Sequence, residues 1–158
     1  MPVLDLTDLP AACPPNTAWL GLDIGENTIG VAVSDTSRMI ASPLELIRKT
    51  KFTQDAESLF RIMNGRNVSA LIIGLPMNMD GSEGPRAQSC RAFARNLDRV
   101  RPINVAFQDE RLSTSAVERF LIEDLDLNRK RRAAVIDRTA AAWILQGALD
   151  RLRDAPRL

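Results

Sequence analysis

Apolar residues along this chain fall into short runs whose spacing alternates between that of a strand and that of a helix, and these runs predict its elements. Trp19-Leu-Gly-Leu-Asp23-Ile24 has the length of a buried strand and stops at Gly25. Thr28 to Ser34 alternates apolar and small residues as a second strand, and only a few residues separate the two, with Glu26 and Asn27 suited to the turn. That spacing predicts an antiparallel hairpin. Met39 to Ile47 is a third strand, and Pro43 within it removes an amide donor, which points to an edge position or a break.

A helical period then takes over. Thr53 is a candidate N-cap, Asp55 and Glu57 suit the first turn, Ala56, Leu59, Phe60 and Met63 share a face, and Gly65 offers a stop. Ser69 to Gly74 is a continuous apolar run, the pattern of a strand covered on both faces. A helix over Pro85 to Arg99, a strand over Ile103 to Phe107, and helices over Thr114 to Ile122 and Ala133 to Arg153 complete the order. In the last helix Ile136, Ala140, Trp143, Ile144 and Leu145 lie at core-facing intervals. Two successive helix and strand alternations imply parallel strands joined by right-handed crossovers, so the fold class is α/β, a mixed sheet with helices on both faces.

Composition bounds this picture. With 45% hydrophobic and 26% charged residues, the 158 residues suit one soluble domain with one core. Residues 1–17, acidic and proline-containing with no basic residue, are expected to be a flexible leader, 18–152 the folded domain and 153–158 a tail. The leader has the wrong charge for a secretory signal, and no apolar run approaches a membrane span, so the expected location is cytoplasmic, with no membrane partner. Cys13 and Cys90, far apart and outside any Cys-x-x-Cys spacing, read as reduced thiols.

A formal net charge of +1 means that nucleic acid would have to be held by a local basic patch. The chain has no histidine, which removes the usual general base, the Ser-His and Cys-His pairs and every histidine-ligated zinc site. Any chemistry must therefore run on Asp, Glu, Lys or a metal, although a purely structural or binding role is equally compatible.

Three acidic sites stand where an apolar element ends or turns: Asp23, the pair Asp109-Glu110, and Asp137. A charge inside an apolar strand is costly unless a cation answers it, so Asp23 calls for a metal, a basic side chain, or a turn to cap. Asp109-Glu110-Arg111 follows a strand at the carboxyl edge of a parallel sheet, where open α/β sheets place ligands, although Asp109 could equally cap the next helix. Asp137 lies near the packing face of the last helix, with Arg138 or Arg111 as alternative partners. Clustered carboxylates without histidine suit Mg²⁺ or Mn²⁺, and a pair of such ions can activate water for phosphodiester cleavage.

The loop from Gly74 to Gly84, containing Asn78, Asp80 and Ser82, is either a ligand-facing loop or a plain connector. Arg129, Lys130, Arg131 and Arg132 form a basic run that would contact phosphates or simply face solvent. The aromatic share of 4% argues against a base-stacking platform.

Taken together, Trp19 to Asp35, Ile73 to Ser82, Asp109 to Thr114 and Ile136 to Gln146 resemble, in order, the motifs of the YqgF (RuvX) family of ribonuclease H-like nucleases. The resemblance implies a five-stranded ribonuclease H-like fold and a hydrolase that uses Mg²⁺ or Mn²⁺. It implies Asp23, Glu110 and Asp137 as metal ligands, Asp109 as a further catalytic carboxylate, and Arg111 as a residue that orients Glu110 or contacts phosphate. Asn78 of the signature loop joins Arg111 and the basic run as a nucleic-acid contact. The implied role is maturation of the 5′ end of pre-16S ribosomal RNA in ribosome biogenesis, with Holliday-junction resolution or a non-catalytic nucleic-acid-binding factor of the same fold as alternatives. Resolvases of similar fold carry a glutamate where this chain has Ile73-Gly74, which puts precursor rRNA ahead of branched DNA. Either a monomer or a homodimer would serve; junction cutting would favour the dimer. The same hairpin is also similar to the phosphate loop of actin-like ATPases and sugar kinases, which need two such domains.

Overall fold

The computed structural model describes residues 3–78, 80–109 and 129–154, with side chains in the last helix from 140 to 153. Five strands form one sheet: β1 (Ala18–Ile24), β2 (Thr28–Ser34), β3 (Ala41–Arg48), β4 (Val68–Leu75) and β5 (Asn104–Asp109), in the order β3-β2-β1-β4-β5. The hairpin pairs β1 with β2 antiparallel, setting Asp23 opposite Gly30, and β4 and β5 lie parallel to β1. β3 is the edge strand that Pro43 predicts, and Pro43 sits opposite Ala32 where the register shifts. The strand starts at Ala41 and not at Met39, because the Asp35 carboxylate accepts hydrogen bonds from the amides of Met39 (2.8 Å) and Ile40 (3.0 Å), holding both in the turn.

Helix α1 (Leu9–Ala12) precedes the sheet; α2 (Phe52–Arg66) and α3 (Pro85–Val100) are the crossovers, and α4 (Arg129–Asp154) closes the fold. α2 opens one residue before Thr53, because the buried Asp55 carboxylate reaches back to accept the Thr50 amide at 3.1 Å. It runs through Gly65 to Asn67, whose left-handed φ of 54° ends it; asparagine tolerates that conformation better than most residues. The expected helix at Thr114 to Ile122 lies outside the described residues.

Two apolar layers enclose the sheet. Leu20, Leu22, Leu71, Ile73 and Val105 pack with α2 and α3, whereas Trp19, Ala32, Ala70, Ile72 and Ala106 pack with Ala141, Ile144, Leu145 and Ala148 of α4. Trp143, expected in the core, is 52% exposed because it lies beside, not on, the face defined by Ala141, Leu145 and Ala148.

The segment expected as a flexible leader is instead packed on this second layer. Val3 bridges to Val105, the Leu4 amide donates to the Val105 carbonyl at 2.8 Å, and Leu6, Leu9 and Cys13 are buried with Trp19 and Leu149. These three apolar residues recur at helical intervals, which suffices to hold the segment on the layer. Arg38 ties in the end of the segment, donating from Nε to the Thr17 carbonyl (2.9 Å) and from Nη2 to the Pro14 carbonyl (2.7 Å) while stacking on Trp19. No helix among the described residues is long and apolar enough to cross a membrane.

Candidate active site

β1, β4 and β5 end at the same edge of the sheet, and strand alternation decides which residues face α4 there. A Cβ on Gly21 would lie 2.6 Å from Leu145 Cβ and 2.9 Å from the Ala141 carbonyl oxygen, so Gly21 faces α4 at backbone contact. Half-buried Asp23, two residues on, shares that face. Leu22 pairs with Ile73 and Gly74 with Gln108, which puts Asp23, Gly74 and Gln108 side by side across the edge on the α4 side. Gln108 confirms the phase: its Oε1 accepts from Arg151 of α4 at 2.7 Å. Gly74 contributes no side chain beside Asp23.

α4 crosses the sheet with Ala141 and Leu145 at Gly21 and with Gly147 and Arg151 at Gln108. Asp137 precedes Ala141 by four residues, about 6 Å along the axis. Gln146 fixes the rotation of α4 against the edge strand, accepting the Ala41 amide at 2.8 Å and donating to the Met39 carbonyl at 3.0 Å.

Asp109 ends β5, opposite Leu75, and is exposed. Val105 and Phe107 belong to the layer of α2 and α3, so alternation carries Asp109 to that side, away from Asp23. The structure therefore does not bring Asp109 together with Asp23. Glu110 and Arg111 lie outside the described residues; Arg129, Lys130, Arg131 and Arg132 lie in the first turns of α4, where only the backbone is described. Among the described residues no three acidic, Cys or His groups gather into a metal site. Asp23 still fits a hard cation: it is a half-buried carboxylate with a histidine-free chain around it, and both cysteines are buried elsewhere in the core layers.

The loop after β4 is closed by its own bonds. Met77 bridges to Glu83, the Asn78 amide donates to the Ser82 carbonyl at 2.8 Å, Gly81 takes a φ of 89°, and the Asp80 carboxylate accepts from the Ser82 amide at 2.9 Å. Asn78 is exposed and donates from Nδ2 to Ser82 Oγ at 3.0 Å. Two residues that sequence reasoning missed anchor this loop. Glu83 pairs in bidentate fashion with Arg91 of α3 at 2.7 and 2.8 Å, and that guanidinium stacks on Phe107 of β5. The Arg91 hydrogen bonds hold the Glu83 carboxyl below its usual range, and Glu83 in turn raises Arg91. Their signal was an i, i+8 charge pair that bridges a loop and a helix, invisible until α3 is placed.

Asp35 shows what a purely structural aspartate looks like here. The Ser37 hydroxyl, followed by the amides of Ile40 and Met39, lowers its pKa, and the carboxylate closes the β2 to β3 turn.

Comparison with known proteins places this geometry. Residues 17–151 match the family model RuvX, described as Holliday junction resolvase. A protein of Phenylobacterium zucineum is 64% identical over 155 residues, covering 98% of this chain and 99% of its own length. One from Caulobacter vibrioides is 60% identical over 154 residues, covering 97% and 99%. Both bear the name "Putative pre-16S rRNA nuclease". The fold matches RuvC of T. thermophilus, solved with a Holliday junction substrate, at a TM-score of 0.51 and 12% identity over 90% of this chain and 99% of that one. It also matches the fowlpox virus resolvase, solved with junction DNA, at 0.52 and 12% over 86% and 99%. The five-stranded mixed sheet is thus of the ribonuclease H-like kind found in these resolvases, and the chain belongs to the RuvX family of nucleases.

Proposed function

We propose that this chain is a divalent-metal-dependent nuclease that trims the 5′ end of precursor 16S rRNA in the cytoplasm, with Asp23, Glu110 and Asp137 holding Mg²⁺ or Mn²⁺. The observation that carries the reading is the contact of Gly21 with Ala141 and Leu145, which brings α4, the helix that bears Asp137, against the strand that bears Asp23. A metal bound there would supply an activated water and a counter-charge for the leaving oxygen. The chain's own residues orient the substrate: Asn78 sits on a self-bonded loop beside that edge, and the basic run Arg129 to Arg132, with Arg111, contacts phosphates. Asp109, on the opposite side of the sheet, is left out of the ligand set. The names of the relatives favour precursor rRNA, and the absence of a side chain at Gly74 is consistent with a site that differs from that of a junction resolvase.

Cleavage of a precursor RNA carrying the 5′ extension, in Mn²⁺, is the direct test. The Asp23→Asn variant should lose at least about 100-fold in rate, since metal-borne charge stabilisation is worth several kcal/mol. Equal cleavage by both proteins, or faster cutting of a four-way junction than of the RNA, would overturn the assignment.

A further inference from the structure

We propose that the groove between the tip of the β1 to β2 hairpin and the first turn of α3 is a phosphate subsite for the strand being cleaved; this rests on the nuclease reading above. The groove has a volume of about 220 Å³, an apolar floor that includes Ile24 and Phe93, and two cations facing it from separate elements, Lys49 and Arg86. Lys49 is half-buried and held in place, donating from Nζ to the Gly25 carbonyl at 3.0 Å while its amide donates to the Asn27 carbonyl at 2.8 Å. Arg86 is exposed and forms no ion pair among the described residues.

The surrounding charge supports an anion. β3 ends at the same edge in the run Arg48-Lys49-Thr50-Lys51, and of the described residues lining the groove only Glu26 is acidic. Like charges gathered at one edge repel one another, and an anionic strand relieves that repulsion. A mainly apolar groove with cations beside it suits a sugar-phosphate backbone, whose phosphate meets the cations and whose sugar lies on the floor.

Spacing ties the groove to the cleavage site. Gly25 lines it and stands two residues beyond Asp23, about 6.6 Å of extended chain. A nucleic-acid strand advances about 3.4 Å per nucleotide along its axis. The groove therefore takes a phosphate about two nucleotides from the one at Asp23, and its lining by Ile24 and Phe93 puts it on the α2 and α3 side, so that the strand crosses the sheet edge.

The test measures binding of a fluorescein-labelled RNA hairpin in EDTA over a series of KCl concentrations. The double variant Lys49→Gln/Arg86→Gln should lower the slope of log affinity against log salt by about 0.9, one phosphate contact, and weaken binding several-fold whatever the RNA sequence. Arg66→Gln, at the opposite edge, should leave the slope unchanged. In Mn²⁺ the double variant should raise KM while keeping kcat. Because Lys49 also braces the hairpin, the single variant Arg86→Gln, at an exposed position, keeps the test valid if the double variant does not fold. An unchanged slope while the wild-type protein still cleaves RNA overturns the subsite alone, as does an equal effect of Arg66→Gln; a wild-type protein that neither binds nor cleaves RNA overturns both proposals.

Discussion

The two faces of the sheet are packed on different principles. Toward α2 and α3, large side chains meet large ones, with Leu20, Leu22, Leu71 and Ile73 against Leu59, Phe93 and Leu97. Toward α4, the sheet sets Gly21, Ala32, Ala70 and Ala106 among Trp19 and Ile72, and the helix answers with Ala141 and Ala148 among Ile144, Leu145 and Leu149. Large side chains hold layers apart and can repack when one changes. Small ones let backbones touch, and a touching backbone has one permitted register. The face that carries Asp23 is the second kind, so the fold places its positional precision where the proposed chemistry needs it.

Leu71→Ala would make the largest change in stability. It should cost about 4 kcal/mol, as a fully buried leucine truncated in a tight layer does, while cleavage per folded molecule stays near normal. Thermal unfolding together with activity at low temperature checks both halves. Gly21→Ala should cost less, about 2 kcal/mol of overpacking, yet lower cleavage about 100-fold by displacing α4. If the two variants lose activity in proportion to their stability, the distinction between the faces fails. Gln146→Ala comes next, at about 1 kcal/mol, because it leaves the part-buried Ala41 amide without its partner; amide hydrogen exchange at Ala41 should rise more than elsewhere in β3. The smallest effect belongs to the Glu83 and Arg91 pair on the other face. The folded Glu83 carboxyl titrates below its unfolded value, so its contribution is present above the unfolded pKa and is lost as pH falls through the folded one. Arg91→Gln should bring the Glu83 titration, followed by NMR, back up to the ordinary glutamate range.

Much of this was legible in the sequence, and the exceptions share a cause. Strands and crossovers announce themselves by period, and Asp23 stands out as a charge inside an apolar run. Pro43 marks the edge strand correctly because a missing amide is a local fact. The packed leader was not legible, since Leu6, Leu9 and Cys13 make too short a period to read as an element until Trp19 and Leu149 are there to receive them. The start of α2 was misjudged because Asp55 caps from inside the first turn. Trp143 shows the limit of helical intervals, which tolerate a residue one position off the buried stripe. In the candidate site, Lys49 and Arg86 were passed over because exposed cations look alike in a sequence and are far apart along it. The separation of Asp109 from Asp23 needed the phase of β5 relative to β1, a long-range property that no window of the chain contains.

The bridge from Val3 to Val105 has a consequence for assembly. An open strand edge invites another chain to continue the sheet, and here both margins are guarded at the end where pairing would begin. The leader occupies the start of β5, while on β3 the proline lacks a donor and the Ala41 amide is already engaged by Gln146. Two copies therefore cannot pair sheet to sheet at these positions.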